Sequence, residues 1–189
     1  MLTTIELRWF YRGTLPPQIK DWFSADVLDA PLEKPEDRED FYLQIPDCES
    51  LGIKLRQEQL EIKWRQAELG VLQFGENLAG KAEKWVKFSF EQSAAESAIS
   101  EDSDLKYHWV SVNKKRLQRQ YPSCNVELTE LLLQGHAWWS LAFEALSEEA
   151  NLEANLQATA KLVFETNRGL KLQIQDSYAY PHWLSLEIE

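Results

Sequence analysis

The sequence is poor in sulfur. Only Cys48, Cys124 and one methionine occur in 189 residues. Two cysteines so far apart, with no histidine cluster beside either, exclude a disulfide-built scaffold and leave no ligand spacing for zinc. They are expected to be free thiols in a reducing, cytoplasmic setting. Glycine and proline number seven each, which excludes a collagen-like repeat. No run approaches the roughly 18 apolar residues of a membrane-spanning helix. The opening MLTTIELRWF has no basic stretch followed by an apolar one, so no signal peptide is expected. Positive charge is also scarce, with 20 Lys and Arg against 31 Asp and Glu and a net charge of −11. That argues against non-specific nucleic-acid binding, which phosphate neutralisation drives. It leaves room for a local basic site, because net charge is only a sum. P-loop, GxGxxG and HExxH patterns are missing, so nucleotide or zinc-protease chemistry by those routes has no support.

What remains is globular in composition, 44% hydrophobic and 27% charged, with eight tryptophans. One domain over residues 1–189 is expected, large enough to bury roughly 70% of its unfolded surface. Strand signals dominate the chain. Ile5, Leu7, Trp9 and Tyr11 alternate with Thr4, Glu6, Arg8 and Phe10 over 3–11, the period of a strand. Pro16 and Pro17 open a short helix with Ile19, Trp22 and Phe23 on its apolar face. The acidic, proline-containing stretch 26–40 reads as a surface loop. Strands are predicted at 40–45, 51–57, 60–66, 84–91, 107–116, 126–133 and 137–145. The glycines between 70 and 80 punctuate the chain, and the Ser-rich acidic stretch 92–105 reads as a mobile connection. Residues 148–164 form the one long predicted helix, with Leu152, Leu156, Ala160 and Val163 near a 3.6 period. Strands are expected again at 170–174 and 183–188. Many strands and few helices predict a β-rich α+β fold, a closed or nearly closed antiparallel barrel of about eight strands.

The unusual feature is that several strands alternate apolar residues with charges rather than with mixed polar ones. Ile53 and Leu55 interleave with Lys54 and Arg56. Leu60, Ile62 and Trp64 interleave with Glu61, Lys63 and Arg65. Glu6 and Arg8 share a face, as do Trp85 and Lys87, and as do Lys114 and Arg116. These charges either face water or line a polar hollow in the barrel, with the apolar faces packed outward against helices. An inward set is costly unless the charges pair or hold an anion. Converging Arg and Lys suit a polyphosphate, and carboxylates on neighbouring strands suit a hard cation such as Mg²⁺ or Mn²⁺.

The order of these segments resembles the CYTH superfamily of triphosphate tunnel metalloenzymes. That family opens with a Glu-x-Glu-x-Lys strand, and here Thr4-x-Glu6-x-Arg8 stands in its place. Asp40-Phe41-Tyr42, Lys54-x-Arg56, Lys63, Lys114-x-Arg116, Ala142-x-Glu144 and Asp176-Ser177-Tyr178 follow in the family's order. The resemblance implies a charged tunnel that binds an inorganic or organic triphosphate and hydrolyses it slowly with Mg²⁺ or Mn²⁺. It implies phosphate contacts from Arg8, Lys54, Arg56, Lys63, Arg65, Lys87, Lys114 and Arg116, and metal ligation by Glu6 and Glu144, aided by Glu127 or Glu61. Glu6 and Lys63 are the candidates for the chemistry. Thr4 and Ala142 replace carboxylates that the family uses for the metal, so weaker metal binding is expected.

Two other readings stand beside this one. The scaffold could be a non-catalytic binder of an anionic ligand or a protein partner, the lost carboxylates marking lost activity. It could instead be a lipocalin-like barrel with apolar faces inward, as the aromatic content allows. His108, His136 and His182 lie at no nucleophile spacing and are expected to have no catalytic role. Trp138 and Trp139 are adjacent, so a strand turns them to opposite faces as core residues.

Overall fold

The computed structural model describes residues 1–57, 59–90, 108–146, 151–167 and 169–187. The connection expected at 92–105 and residues 148–150 of the expected helix lie outside that set. Eight strands run β1 (Leu2–Arg12), β2 (Glu36–Gln44), β3 (Leu51–Arg56), β4 (Gln59–Gly75), β5 (Leu78–Phe90), β6 (His108–Tyr121), β7 (Cys124–Leu133) and β8 (His136–Leu146). They close into a barrel in the order β1-β5-β4-β3-β2-β6-β7-β8, every neighbouring pair antiparallel. The helices are α1 (Pro17–Ser24), α2 (Leu152–Glu165) and α3 (Tyr180–Glu187). None is long and apolar enough to cross a membrane.

Three expectations need correction. Residues 36–39, read as loop, belong to β2, where Glu36, Arg38, Asp40 and Tyr42 take one face and exposed Asp37, Glu39 and Phe41 the other. The glycine-punctuated stretch 70–80 is the tip of the long β4–β5 hairpin, turning at Glu76 and Asn77. Among the described residues the C-terminal strands do not form: Leu172 makes a single bridge to Leu78, and Tyr180–Glu187 is helical.

The larger apolar core lies outside the barrel wall. Ile5, Leu7 and Trp9 of β1, Val126 and Leu128 of β7, and Leu141, Phe143 and Ala145 of β8 pack against Leu156, Ala160, Val163 and Phe164 of α2. Trp9 is fully buried, edge-on to Phe143 and Phe164, and its indole N–H donates to the carbonyl of Ala79 at 2.8 Å. This contact needs the glycine that follows, because a Cβ on Gly80 would come within 2.4 Å of the Trp9 ring.

The inner face is graded along the barrel. Toward one end it is apolar: Phe10, Val110, Val112, Leu131, Leu133 and Trp138 surround Trp183 and Leu184 of α3, which plug the opening. Trp139 points the other way and stacks on Tyr11, so the two adjacent tryptophans are both core, on opposite faces. Beyond the plug the inner face becomes ionic. The alternation that makes β1, β3 and β4 strands therefore turns Glu6, Arg8, Lys54, Arg56 and Lys63 inward and their apolar neighbours out.

Candidate phosphate site in the barrel lumen

A cavity of about 140 Å³ occupies the ionic half of the lumen. Eight cationic side chains line it (Arg8, Arg38, Lys54, Arg56, Lys63, Lys87, Lys114 and Arg116), against four carboxylates (Glu6, Glu61, Glu127 and Glu144). Tyr42, Trp85, Thr129 and Tyr180 complete the wall. A lining this cationic rules out the apolar-interior barrel. It also places a net positive hollow inside a chain whose net charge is −11.

Each carboxylate is answered by cations from its own strand, a neighbouring strand or across the lumen. Glu127 sits between Arg8 at 3.2 Å and Arg116 at 2.8 Å. Glu36 bridges Arg38 and Arg116, both at 2.5 Å. Asp40, with no solvent exposure, holds Lys114 at 2.8 Å and Arg38 at 3.2 Å. Glu61 takes Lys54 at 2.9 Å and Lys87 at 3.5 Å. Glu6 and Glu144 are directly paired across β1 and β8, and Lys63 reaches both, with Glu144 at 3.4 Å. Glu6 also accepts the Thr4 hydroxyl at 2.9 Å. Arg56 lines the cavity without a close ion pair among the described residues, and its charge helps hold Glu36 and Glu61 below their ordinary range.

These pairings set the protonation states. Burial alone would raise Glu127, but the guanidiniums of Arg8 and Arg116 outweigh it and hold the carboxyl at about 2. Burial works against the charged form of Lys114 and brings it down to about 8 despite Asp40. Burial lowers Lys54 and Lys63 as well, opposed by Glu61 and Glu144 respectively. Two aromatic faces steady the cations from the plugged end. The Tyr180 ring lies 4.1 Å from Lys114 Nζ and 5.0 Å from the Arg8 guanidinium, and it stacks on Tyr42.

Every site residue expected from the sequence lines this cavity except Arg65. Arg65 keeps the phase of Glu61 and Lys63 in β4 but lies farther along the strand, and its side chain pairs with Glu83 at 2.6 Å and Glu68 at 2.9 Å. It lines a separate hollow beside Glu49 and His182. Ser177 and Tyr178 serve the closure of the barrel: the Lys81 amide donates to the Ser177 hydroxyl at 2.8 Å, and Tyr178 stacks on Phe10. Arg38, Thr129 and Tyr180 are cavity residues that the sequence reading passed over. Thr129 is 1% exposed and its hydroxyl has no partner among the described residues, so a buried hydrogen-bonding group faces the cavity unsatisfied. His136 pairs with Glu187 and His182 with Glu49, away from the cavity.

Among the described residues no group of three or more His, Cys, Asp or Glu side chains could hold a metal ion. Glu6 and Glu144 are both taken by Lys63, Glu127 by two arginines and Glu61 by two lysines. As arranged, the donor set does not fit a divalent cation.

No protein-family model and no curated protein sequence matches the chain. Solved structures share its fold at low identity. A conserved hypothetical protein from Pyrococcus furiosus superposes with a TM-score of 0.56 at 15% identity, covering 95% of this chain and 98% of that one. The mimivirus capping enzyme triphosphatase gives 0.56 at 10% identity, covering 86% and 90%. A chain in the structure of the Schizosaccharomyces pombe Mediator head module gives 0.51 at 11% identity, covering 87% and 94%.

Proposed function

We propose that this barrel binds a linear triphosphate in its lumen, as a divergent relative of the triphosphate tunnel proteins. The observation that carries the reading is a luminal cavity whose eight cations still outnumber the carboxylates, by two, once Glu36 and Asp40, which pair with Arg38, Lys114 and Arg116, are counted with the four in the lining. Such a surplus is costly to bury and is offset by an anion of matching charge. A volume of about 140 Å³ has room for several water-sized groups at about 30 Å³ each, the scale of a short chain of phosphates, and a nucleoside would project from the open end. Arg8, Arg56 and Arg116 offer forked donors to phosphate oxygens; Lys54, Lys63, Lys87 and Lys114 offer point charges. The mimivirus neighbour carries triphosphatase in its name, which supports the same ligand class.

Binding stands ahead of hydrolysis in this reading. Glu6 and Lys63, the sequence's candidates for the chemistry, are engaged with each other. The Mg²⁺ or Mn²⁺ implied by the family resemblance finds its candidate ligands already paired with cations. The two cysteines are free, in keeping with a reducing compartment such as the cytoplasm.

The test is thermal stability and calorimetry with tripolyphosphate, orthophosphate and a fatty acid. Tripolyphosphate at a hundred times its Kd should stabilise the fold by about 2.7 kcal/mol, with orthophosphate far weaker and the fatty acid inert. No response to tripolyphosphate overturns the proposal. Phosphate release with Mg²⁺ and with Mn²⁺, repeated on Glu6→Gln and Lys63→Ala, decides between a binder and a slow hydrolase.

A further inference from the structure

We propose that the ammonium of Lys63 is a built-in substitute for a divalent cation, so that the lumen takes its ligand as the free, metal-free anion. The inference rests on the reading of the lumen as a triphosphate site and goes beyond it by fixing the ionic form of the ligand. Glu6 and Glu144 stand directly opposite each other on β1 and β8, and both line the cavity, so they are the carboxylate pair best placed to share one cation. Lys63, reaching across from β4, places its Nζ on both. An ammonium is a compact point charge with three donors. Two are directed at the carboxylates, and the third is left for a ligand oxygen.

The neighbouring chemistry agrees. Thr4, at a position where a third carboxylate oxygen could add to the pair, instead donates a hydrogen bond to Glu6 at 2.9 Å. Ala142, buried on β8 opposite both Arg8 and Glu127, contributes no oxygen at all. A hard divalent ion prefers several oxygen ligands and gains little from two that already share a tethered cation. The charge balance points the same way. The eight cations of the lining exceed its carboxylates even with Glu36 and Asp40 counted, and that surplus complements an uncomplexed triphosphate better than one whose charge a divalent metal has already reduced.

The experiment uses the whole chain. Mn²⁺ is titrated into the ligand-free protein and followed by electron paramagnetic resonance, for the wild type and for Lys63→Gln and Lys63→Arg. Calorimetry with tripolyphosphate is run in excess EDTA and again with Mn²⁺. The expected result is that wild type and Lys63→Arg leave Mn²⁺ free to millimolar concentration, whereas Lys63→Gln captures it at least tenfold more tightly. Wild-type affinity for tripolyphosphate in EDTA should equal or exceed that with Mn²⁺. Mn²⁺ capture by the wild type at micromolar concentration, no capture by a folded Lys63→Gln, or tripolyphosphate binding that appears only with metal would each overturn the inference. If Lys63→Gln fails to fold, the two wild-type measurements still decide. Tripolyphosphate that binds under neither condition sinks the triphosphate reading itself, while the Mn²⁺ titrations still judge the role of Lys63.

Discussion

Arg56 and Arg116 lie on the same lumen wall yet should respond differently to mutation. Arg56 has no close carboxylate partner among the described residues, whereas Arg116 holds both Glu127 and Glu36. Arg56→Gln therefore removes a phosphate donor without stranding a buried charge. It should weaken tripolyphosphate binding about tenfold, as expected for a charge-assisted hydrogen bond, and leave stability within about 0.5 kcal/mol of wild type. Arg116→Gln should lose affinity and also cost about 1–3 kcal/mol of stability. Calorimetry paired with urea denaturation separates the two effects, and equal stability losses would refute the assignment. At this scale the sequence was informative wherever charge alternated cleanly with apolar residues. Glu6, Arg8, Lys54, Arg56, Glu61, Lys63, Lys87, Lys114, Arg116, Glu127 and Glu144 all reach the cavity. Arg38 was hidden because EDRED reads as an acidic loop, although Glu36, Arg38, Asp40 and Tyr42 already carried a period of two. Arg65 was misplaced because periodicity gives the face of a strand and not the depth along the barrel: it keeps the phase of Lys63 but lies beyond it, beside Glu83 and His182. Thr129 carried no signal, since one hydroxyl in a strand is unremarkable until its burial is known.

The elements that the sequence misread are those whose form is decided by what they pack against. WLSLEI at 183–188 alternates like a strand, yet Tyr180–Glu187 is a helix. The barrel end offers no free sheet edge, only an apolar ring into which Trp183 and Leu184 fit. Trp183 has no solvent exposure, stacks on Phe10 at 4.9 Å and meets Trp138 edge-on at 6.0 Å. The barrel strands were legible for the opposite reason. Each must present one face to the helices and one to the lumen, so each carries its own period. The same packing gives α3 a measurable role as a plug. Trp183→Ala should destabilise the protein by about 3–5 kcal/mol, the usual cost of emptying a buried aromatic site. Leu186→Ala, on the same helix but 51% exposed, should cost no more than about 0.5 kcal/mol. Comparable losses in the two variants on chemical denaturation would mean that α3 is not seated in the barrel. Tyr180, one turn earlier, ties the plug to the phosphate site through Lys114 and Arg8. Trp183→Ala should therefore weaken tripolyphosphate binding as well.

For the molecule as a whole, the inversion of charge is what ties fold to function: an acidic exterior around a cationic hollow whose remaining carboxylates brace the strands. That bracing makes stability depend on pH in a direction that can be worked out. Glu127 lies at about 2 in the folded protein, against 4.5 ordinarily. The unfolded chain therefore binds more protons than the folded one between those values, and stability falls as pH falls through that window. Glu61 and Glu36 are also held below their ordinary range, burial being outweighed by Lys54 and by Arg38 respectively, and act in the same direction. The stabilisation that accompanies this depression is present in full above the ordinary carboxylate pKa. Glu127→Gln should lose about 3–5 kcal/mol at neutral pH, by stranding the buried Arg8 and Arg116. Its deficit should shrink steadily as the pH is lowered from about 5 toward 2, because the wild type then becomes protonated at the same position. Urea unfolding of the two proteins across that range provides the measurement. A deficit that stays constant with pH would show that Glu127 contributes by shape alone, and the lumen would then not be the ionic brace described here.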